Sequence, residues 1–280
     1  MRRATAHAMG AAALALVAGC GECGARREAA RVENGTRALS LAPTATFDPC
    51  PRDGSPCRLL PLGDSITYGV GSSVGGGYRV PLLRRAIADK RHITFVGRAS
   101  NGPAAIGTRD AGEAPDAGVF PRGHEGYSGY TIDPCPARNG ISPRVPGAIA
   151  AGEPHVILLM IGTNDIGGGC DVAGAPGRLG SLLDRIVSLA PRALLVVAEI
   201  TPSDDDIFNQ AAIAYNRGVR DEIARRAARG AHVVAVDMFG AFTSDPAYRT
   251  SLLDDGLHPN DRGYDRMADV WWEAIGRYTR

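Results

Sequence analysis

HVILLMIGTND, residues 155–165, sets an unbroken apolar run, Val156 to Ile161, directly against a glycine and a polar turn. A run of this length with no polar alternation reads as a strand buried on both faces, the pattern of a parallel sheet covered by helices. Four other stretches share it: RLLPLGD (58–64), ITFVGR (93–98), RALLVVAEI (192–200) and HVVAVDMFG (232–240). Helical periodicity falls between or after them, around 78–91, 177–190, 207–229 and 261–277. The alternation predicts a three-layer α/β/α sandwich. Right-handed crossovers make a five-stranded parallel, flavodoxin-like sheet of order 2-1-3-4-5 the economical arrangement. Residues 99–141, rich in Gly and Pro, stand outside the pattern, and loops of that length are usually functional or disordered.

With 280 residues, 44% hydrophobic and 22% charged, the chain has enough apolar material for a real core. Its formal charge is +1, with basic residues scattered and Lys90 the only lysine, so the electrostatic footprint of a nucleic-acid binder is missing. The first twenty residues combine Arg2 and Arg3, an apolar run from Ala8 to Ala18, and small residues ending at Cys20. This is the pattern of an export signal, and the run is shorter than the roughly 20 residues a spanning helix needs. VAGC (17–20) resembles a bacterial lipobox, which implies a signal over 1–19 and a lipidated Cys20 attached to the membrane. An ordinary secretory signal is the alternative. Removing Arg2 and Arg3 leaves 29 basic against 30 acidic residues. Residues 20–46 read as a tether, and 47–280 as the folded domain.

Export permits disulfides. Cys50 and Cys57 flank a turn-rich stretch suited to a local bridge, and Cys135 and Cys170 lie in Pro/Gly-rich loops that a bridge would staple; Cys23 is left over. Free buried thiols are the alternative. The spacings fit no zinc constellation, and no metal or cofactor is expected.

Ligands of parallel sheets bind beyond the carboxyl ends of the strands. There the first strand runs into GDSITYG (63–69), with Ser65 at the turn. A serine hydroxyl needs a base to become a nucleophile. His92, His155 and His232 sit at the amino ends of strands, leaving His124 and His258. In DDGLHPN (254–260), His258 is suited as base and Asp255 as the carboxylate that fixes its tautomer. Asp254 is an alternative by spacing, with its side chain expected to point elsewhere. Asn164, in IGTND after the central strand, offers an amide to a developing oxyanion. His124 and Glu125 belong to no HExxH motif, because position 128 is serine. Arg79, Tyr68 and Tyr127 are expected to serve packing, as are Trp271 in the core and Trp272 at the surface.

GDSIT (63–67), SGYT (128–131), GTND (162–165) and DGLH (255–258) resemble the four sequence blocks of the SGNH (GDSL-like) hydrolases. The longer stretches GDSITYGVGSS, HEGYSGYTID, MIGTND and DGLHPN are most similar to family 3 carbohydrate esterases, which include acetylxylan esterases. The resemblance spans about residues 58–275. It implies the SGNH hydrolase fold, with Ser65 as nucleophile, His258 as base and Asp255 as its partner. It also implies an oxyanion hole built from the Ser65 and Gly129 N–H groups and the Asn164 amide, with Gly126 an alternative to Gly129. The expected function is a monomeric esterase removing acetyl groups from carbohydrate. A lysophospholipase, thioesterase or arylesterase on the same fold is one alternative, and a non-catalytic glycan-binding lipoprotein is another. No GxSxG elbow surrounds Ser65, which argues against an α/β-hydrolase.

Overall fold

The computed structural model describes residues 47–106 and 118–279. The expected signal, Cys20, Cys23 and most of the tether lie outside them. Strand β1 (Cys57–Gly63) leads to a short helix α1 (Ser65–Tyr68), then α2 (Arg79–Ala88) and β2 (Ile93–Phe95). The segment that broke the pattern contributes β3 (Ala99–Ser100) and β4 (Gly123–Gly126), followed by α3 (Val145–Gly152). The chain continues through β5 (Val156–Met160), α4 (Thr163–Gly167), α5 (Ala175–Leu189), β6 (Leu194–Ala198) and α6 (Asp206–Ala227). It ends with β7 (Val233–Val236), α7 (Met238–Thr243), α8 (Tyr248–Ser251) and α9 (Asp261–Ile275).

The five apolar stretches form β1, β2, β5, β6 and β7, all paired in parallel in the expected 2-1-3-4-5 order. The sheet is larger than five strands, and the reason lies at one edge of β1. Strand β2 pairs only with Cys57–Leu59, which leaves the outer half of β1 unpaired. Strand β4 takes that place against Leu62 and Gly63, and β3 adds antiparallel to β4. Backbone polar groups in a buried sheet must find partners, and the long loop supplies them.

Side chains alternate across the sheet. Leu59, Val156, Leu158, Met160, Leu194 and Val196 face one apolar cluster, which α2, α7 and α9 cover with Leu82, Phe242 and the fully buried Trp271. Leu60, Leu62, Ile157, Leu159, Leu195 and Val197 face the other, covered by α3, α5 and α6 with Ala148, Leu183 and Val219. Helix α5 opens with a proline in its first turn, and α6 opens on Asp205, whose carboxylate accepts from the Ile207 and Phe208 N–H groups. Both expected disulfides form, Cys50–Cys57 and Cys135–Cys170. Among the described residues no helix is long and apolar enough to cross a membrane.

Candidate active site

Ser65 follows the carboxyl end of β1, Asn164 follows that of β5, and Asp255 and His258 lie on the loop before α9. Strand β1 ends at Gly63, and the Asp64 side chain accepts the Ile66 N–H at 3.0 Å, capping α1. Ser65 is the first helical residue and is 7% exposed, so its hydroxyl is held in a shallow, nearly enclosed position. The Asp64 carboxyl beside it is buried; desolvation raises it to about 6, although the Ile66 hydrogen bond opposes the shift.

His258 lies on the loop between α8 and α9. An isolated bridge between Leu253 and Pro259 closes that loop, and the Asp254 N–H donates to the His258 carbonyl at 2.8 Å. Asn260 caps α9 by accepting the Arg262 and Gly263 N–H groups, while its amide donates back to Ser251 and Leu253. Such a cap typically stabilises a helix by about 1 kcal/mol.

His258 Nε2 is 2.9 Å from Ser65 Oγ, and His258 Nδ1 is 2.7 Å from Asp255 Oδ2. The other Asp255 oxygen accepts the Leu257 and His258 N–H groups at 3.1 and 2.8 Å. Ionised carboxylates only accept, so the imidazole proton resides on Nδ1 and Nε2 is left to receive the serine proton. Burial pushes the Asp255 carboxyl up, but the hydrogen bonds from the His258 backbone, the His258 ring and Leu257 outweigh it and bring it to about 2. Of the two adjacent aspartates, Asp255 makes the contact with the ring.

Gly129 adopts φ +77°, a conformation that favours glycine, and a Cβ there would stand in ordinary contact with Arg138 Nη1 at 3.7 Å. Gly126 differs: its N–H is taken by His124 Nδ1 at 3.0 Å, and a Cβ there would fall 2.4 Å from the Tyr68 nitrogen. Between the two glycines, Gly129 is the one free to offer a donor. Asn164 stands in the first turn of α4, its amide donating to the Tyr130 carbonyl at 2.9 Å. That turn begins at Gly162, with φ +126°, where a Cβ would meet the Tyr215 ring at 2.5 Å.

Several supporting residues make contacts that the sequence did not reveal, and Arg79 packs as expected. Asp165, buried in α4, accepts the Ile132 N–H at 3.0 Å and pairs with Arg178 at 2.9 Å, binding the long loop to α4. Glu125 on β4 is buried and takes a two-point contact from Arg98 at 2.8 and 2.9 Å, with the Tyr127 hydroxyl as a further donor. Arg79 is fully buried and fastens the Tyr68 carbonyl to Asn101 and the Arg122 carbonyl; burial lowers its guanidinium to about 10. His124 is enclosed and held down at about 3, chiefly by burial and then by Arg79. It is a buried structural group and faces none of the three reacting residues through a hydrogen bond, its Nδ1 serving Gly126.

A hollow of about 380 Å³ borders Asp255, lined by Ile166, Phe208 and Leu257 with Asp204 at its rim. A larger depression of about 770 Å³, lined by Arg58, His155 and Arg192, opens at the amino edge of the sheet and holds none of the groups above. Of the three hydrogen-bonded residues, Asp255 lines the smaller hollow, and Ser65 and His258 do not. No group of three or more potential metal ligands occurs among the described residues.

A serine, a histidine and an aspartate in one hydrogen-bonded line at the carboxyl edge of a parallel sheet define the serine-hydrolase class of site. Residues 62–266 match the model of the GDSL-like Lipase/Acylhydrolase family, and the chain belongs to that family. A multidomain esterase of Ruminococcus flavefaciens is 30% identical over 261 residues, covering 87% of this chain and 32% of the relative. The chain therefore spans about a third of that relative's length. Among solved structures, a family 3 carbohydrate esterase of Clostridium thermocellum is 27% identical, with a TM-score of 0.64 over 80% of this chain and 98% of that one. An acetylxylan esterase from Geobacillus stearothermophilus, 20% identical, shares the fold with a TM-score of 0.57 over 81% and 98% of the two chains.

Proposed function

We propose that this protein is an exported serine esterase that hydrolyses acetyl esters on carbohydrate, through an acyl-enzyme on Ser65 and without a cofactor. The observation that carries the reading is the continuous contact from Asp255 through His258 to Ser65. The carbohydrate acetyl ester as substrate draws support from the similarity to the family 3 carbohydrate esterase.

In the proposed reaction His258 Nε2 takes the Ser65 proton as Oγ attacks the ester carbonyl. Asp255 holds the resulting imidazolium. The Ser65 and Gly129 N–H groups and the Asn164 amide receive the oxyanion. His258 returns the proton to the leaving sugar oxygen, then activates the water that releases acetate. Cleavage before Cys20, lipidation there and a monomeric state complete the proposal, and intact-mass analysis of the exported protein checks the first two.

The deciding experiment compares hydrolysis of 4-nitrophenyl acetate and butyrate by the full chain, with Ser65→Ala and His258→Ala beside it. Acetate preference abolished in both variants is the expected result. Butyrate preference would favour a different acyl substrate, and unchanged turnover in Ser65→Ala would overturn the serine mechanism.

A further inference from the structure

Between the two loops that would donate to the oxyanion lies a cation that the reaction above does not use. Arg138 Nη1 is 3.3 Å from the Gly129 carbonyl oxygen and 3.3 Å from Asn164 Oδ1. Both acceptors are neutral amide oxygens, and each belongs to one of the two residues that complete the proposed hole around Ser65. The guanidinium also lies close against α4's end: a Cβ on Gly168 would fall 2.5 Å from its Nε.

The contact settles an orientation that an asparagine does not settle alone. An amide side chain can be turned over, exchanging its oxygen for its NH2 group. At Asn164 one end faces the Tyr130 carbonyl, which needs a donor, and the other faces Arg138, which needs an acceptor. Only one orientation satisfies both, and it leaves the second amide hydrogen uncommitted. A fixed positive charge behind Asn164 and Gly129 also favours negative charge building up in front of them.

Arg138 is itself held by covalent structure. It closes a tight turn in which the Cys135 and Arg138 backbones exchange hydrogen bonds at 3.0 Å in both directions. Cys135 in that turn is bonded to Cys170, just beyond α4, with 6.1 Å between their Cα atoms. The bridge therefore ties the turn carrying Arg138 to the segment that follows Asn164. Its removal would free the two loops to separate.

We propose that Arg138 is a positioning residue that aligns Gly129 and Asn164 as oxyanion donors, and that the Cys135–Cys170 disulfide holds it in place. The inference rests on the esterase reading above. It makes catalytic efficiency dependent on a disulfide that touches no reacting atom.

The test uses the full chain and 4-nitrophenyl acetate. Removing a direct oxyanion donor typically lowers kcat about 10²- to 10³-fold, so Arg138→Met, acting through donors that remain present, should lower it about 10-fold with KM changed less than about twofold. Arg138→Lys, which keeps the charge but not the planar fork, should recover part of the loss. In an Asn164→Ala background, Arg138→Met should cost clearly less, about threefold, because only the Gly129 contact is left for it to act through. The double variant Cys135→Ser/Cys170→Ser should show the kcat loss of Arg138→Met with an unchanged circular dichroism spectrum. Equal losses from Arg138→Met in both backgrounds, or an effect confined to KM, would overturn the positioning role. Full activity without the disulfide would overturn its part. If Ser65→Ala is dead while Arg138→Met and Arg138→Lys keep full kcat, this inference fails alone; if Ser65→Ala retains turnover, the esterase reading fails first.

Discussion

His258 Nε2 meets Ser65 Oγ at 2.9 Å although 193 residues separate them in the chain, while His258 Nδ1 meets Asp255 only three residues away. If the three act as a unit, Asp255→Asn should lower kcat by roughly 10³- to 10⁴-fold by disfavouring the working tautomer. Ser65→Ala and His258→Ala should each cost at least as much, and combining them should add little. Steady-state kinetics on 4-nitrophenyl acetate reads all three.

Asp255 should not shape the acid side of the pH profile. Asp255, drawn down to about 2, contributes stability that is complete above its unfolded value and is lost only as pH falls through about 2. It stays ionised well above that value. The expected result is a fall in kcat/KM on the acid side, reversible on return to neutral pH. A flat profile between about pH 5 and 8 would count against a histidine base.

Asp64 has the opposite sign. Its buried carboxyl is raised to about 6 from 3.8, so the folded state holds a proton that the unfolded state has lost, and stability falls as pH rises between those values. Asp64→Asn keeps an oxygen for the Ile66 N–H and removes the titration. The melting temperature of that variant relative to wild type should increase from pH 4 to pH 7. A constant difference across that range would refute the assignment.

Arg98 should matter more than a surface arginine. Its partner Glu125 has a side chain 0% exposed, and removing the guanidinium strands a buried carboxylate. Arg98→Met should destabilise the fold by about 3 kcal/mol, near the lower end for breaking a buried pair, since Tyr127 and the Arg98 backbone remain as donors. Urea unfolding measures it.

Gly162→Ala should lower both stability and activity. The added carbon meets Tyr215, whose hydroxyl is bonded to the Ile161 carbonyl, and Asn164 lies two residues further on. Paired melting and kinetic measurements should find both reduced.

The large parallel strands were legible because burial on both faces leaves no polar alternation, as VILLM at β5 shows. Ser65, Asp255, His258 and Asn164 were picked out as candidates from chemistry and position, and the bridging cysteines were readable from their loops. Strand β4 was not legible. Its sequence, GHEG, has no apolar pattern, and its buried Glu125 becomes tolerable only through Arg98, 27 residues earlier. The preference for Gly129 over Gly126 came from the resemblance, and the fold adds that the Gly126 N–H is already taken by His124. Arg138 looks like any loop arginine until Gly129 and Asn164 are brought to it.

The Asp255–His258 loop, closed by the Leu253–Pro259 bridge and anchored by Asn260, keeps base and carboxylate together as one small cassette. Only its seating against Ser65 depends on the far end of the chain. Turnover in the proposed reaction therefore requires that long-range joint to be intact, whereas far-ultraviolet ellipticity averages over every helix. A slip at that joint on warming would extinguish turnover while the spectrum still looked native.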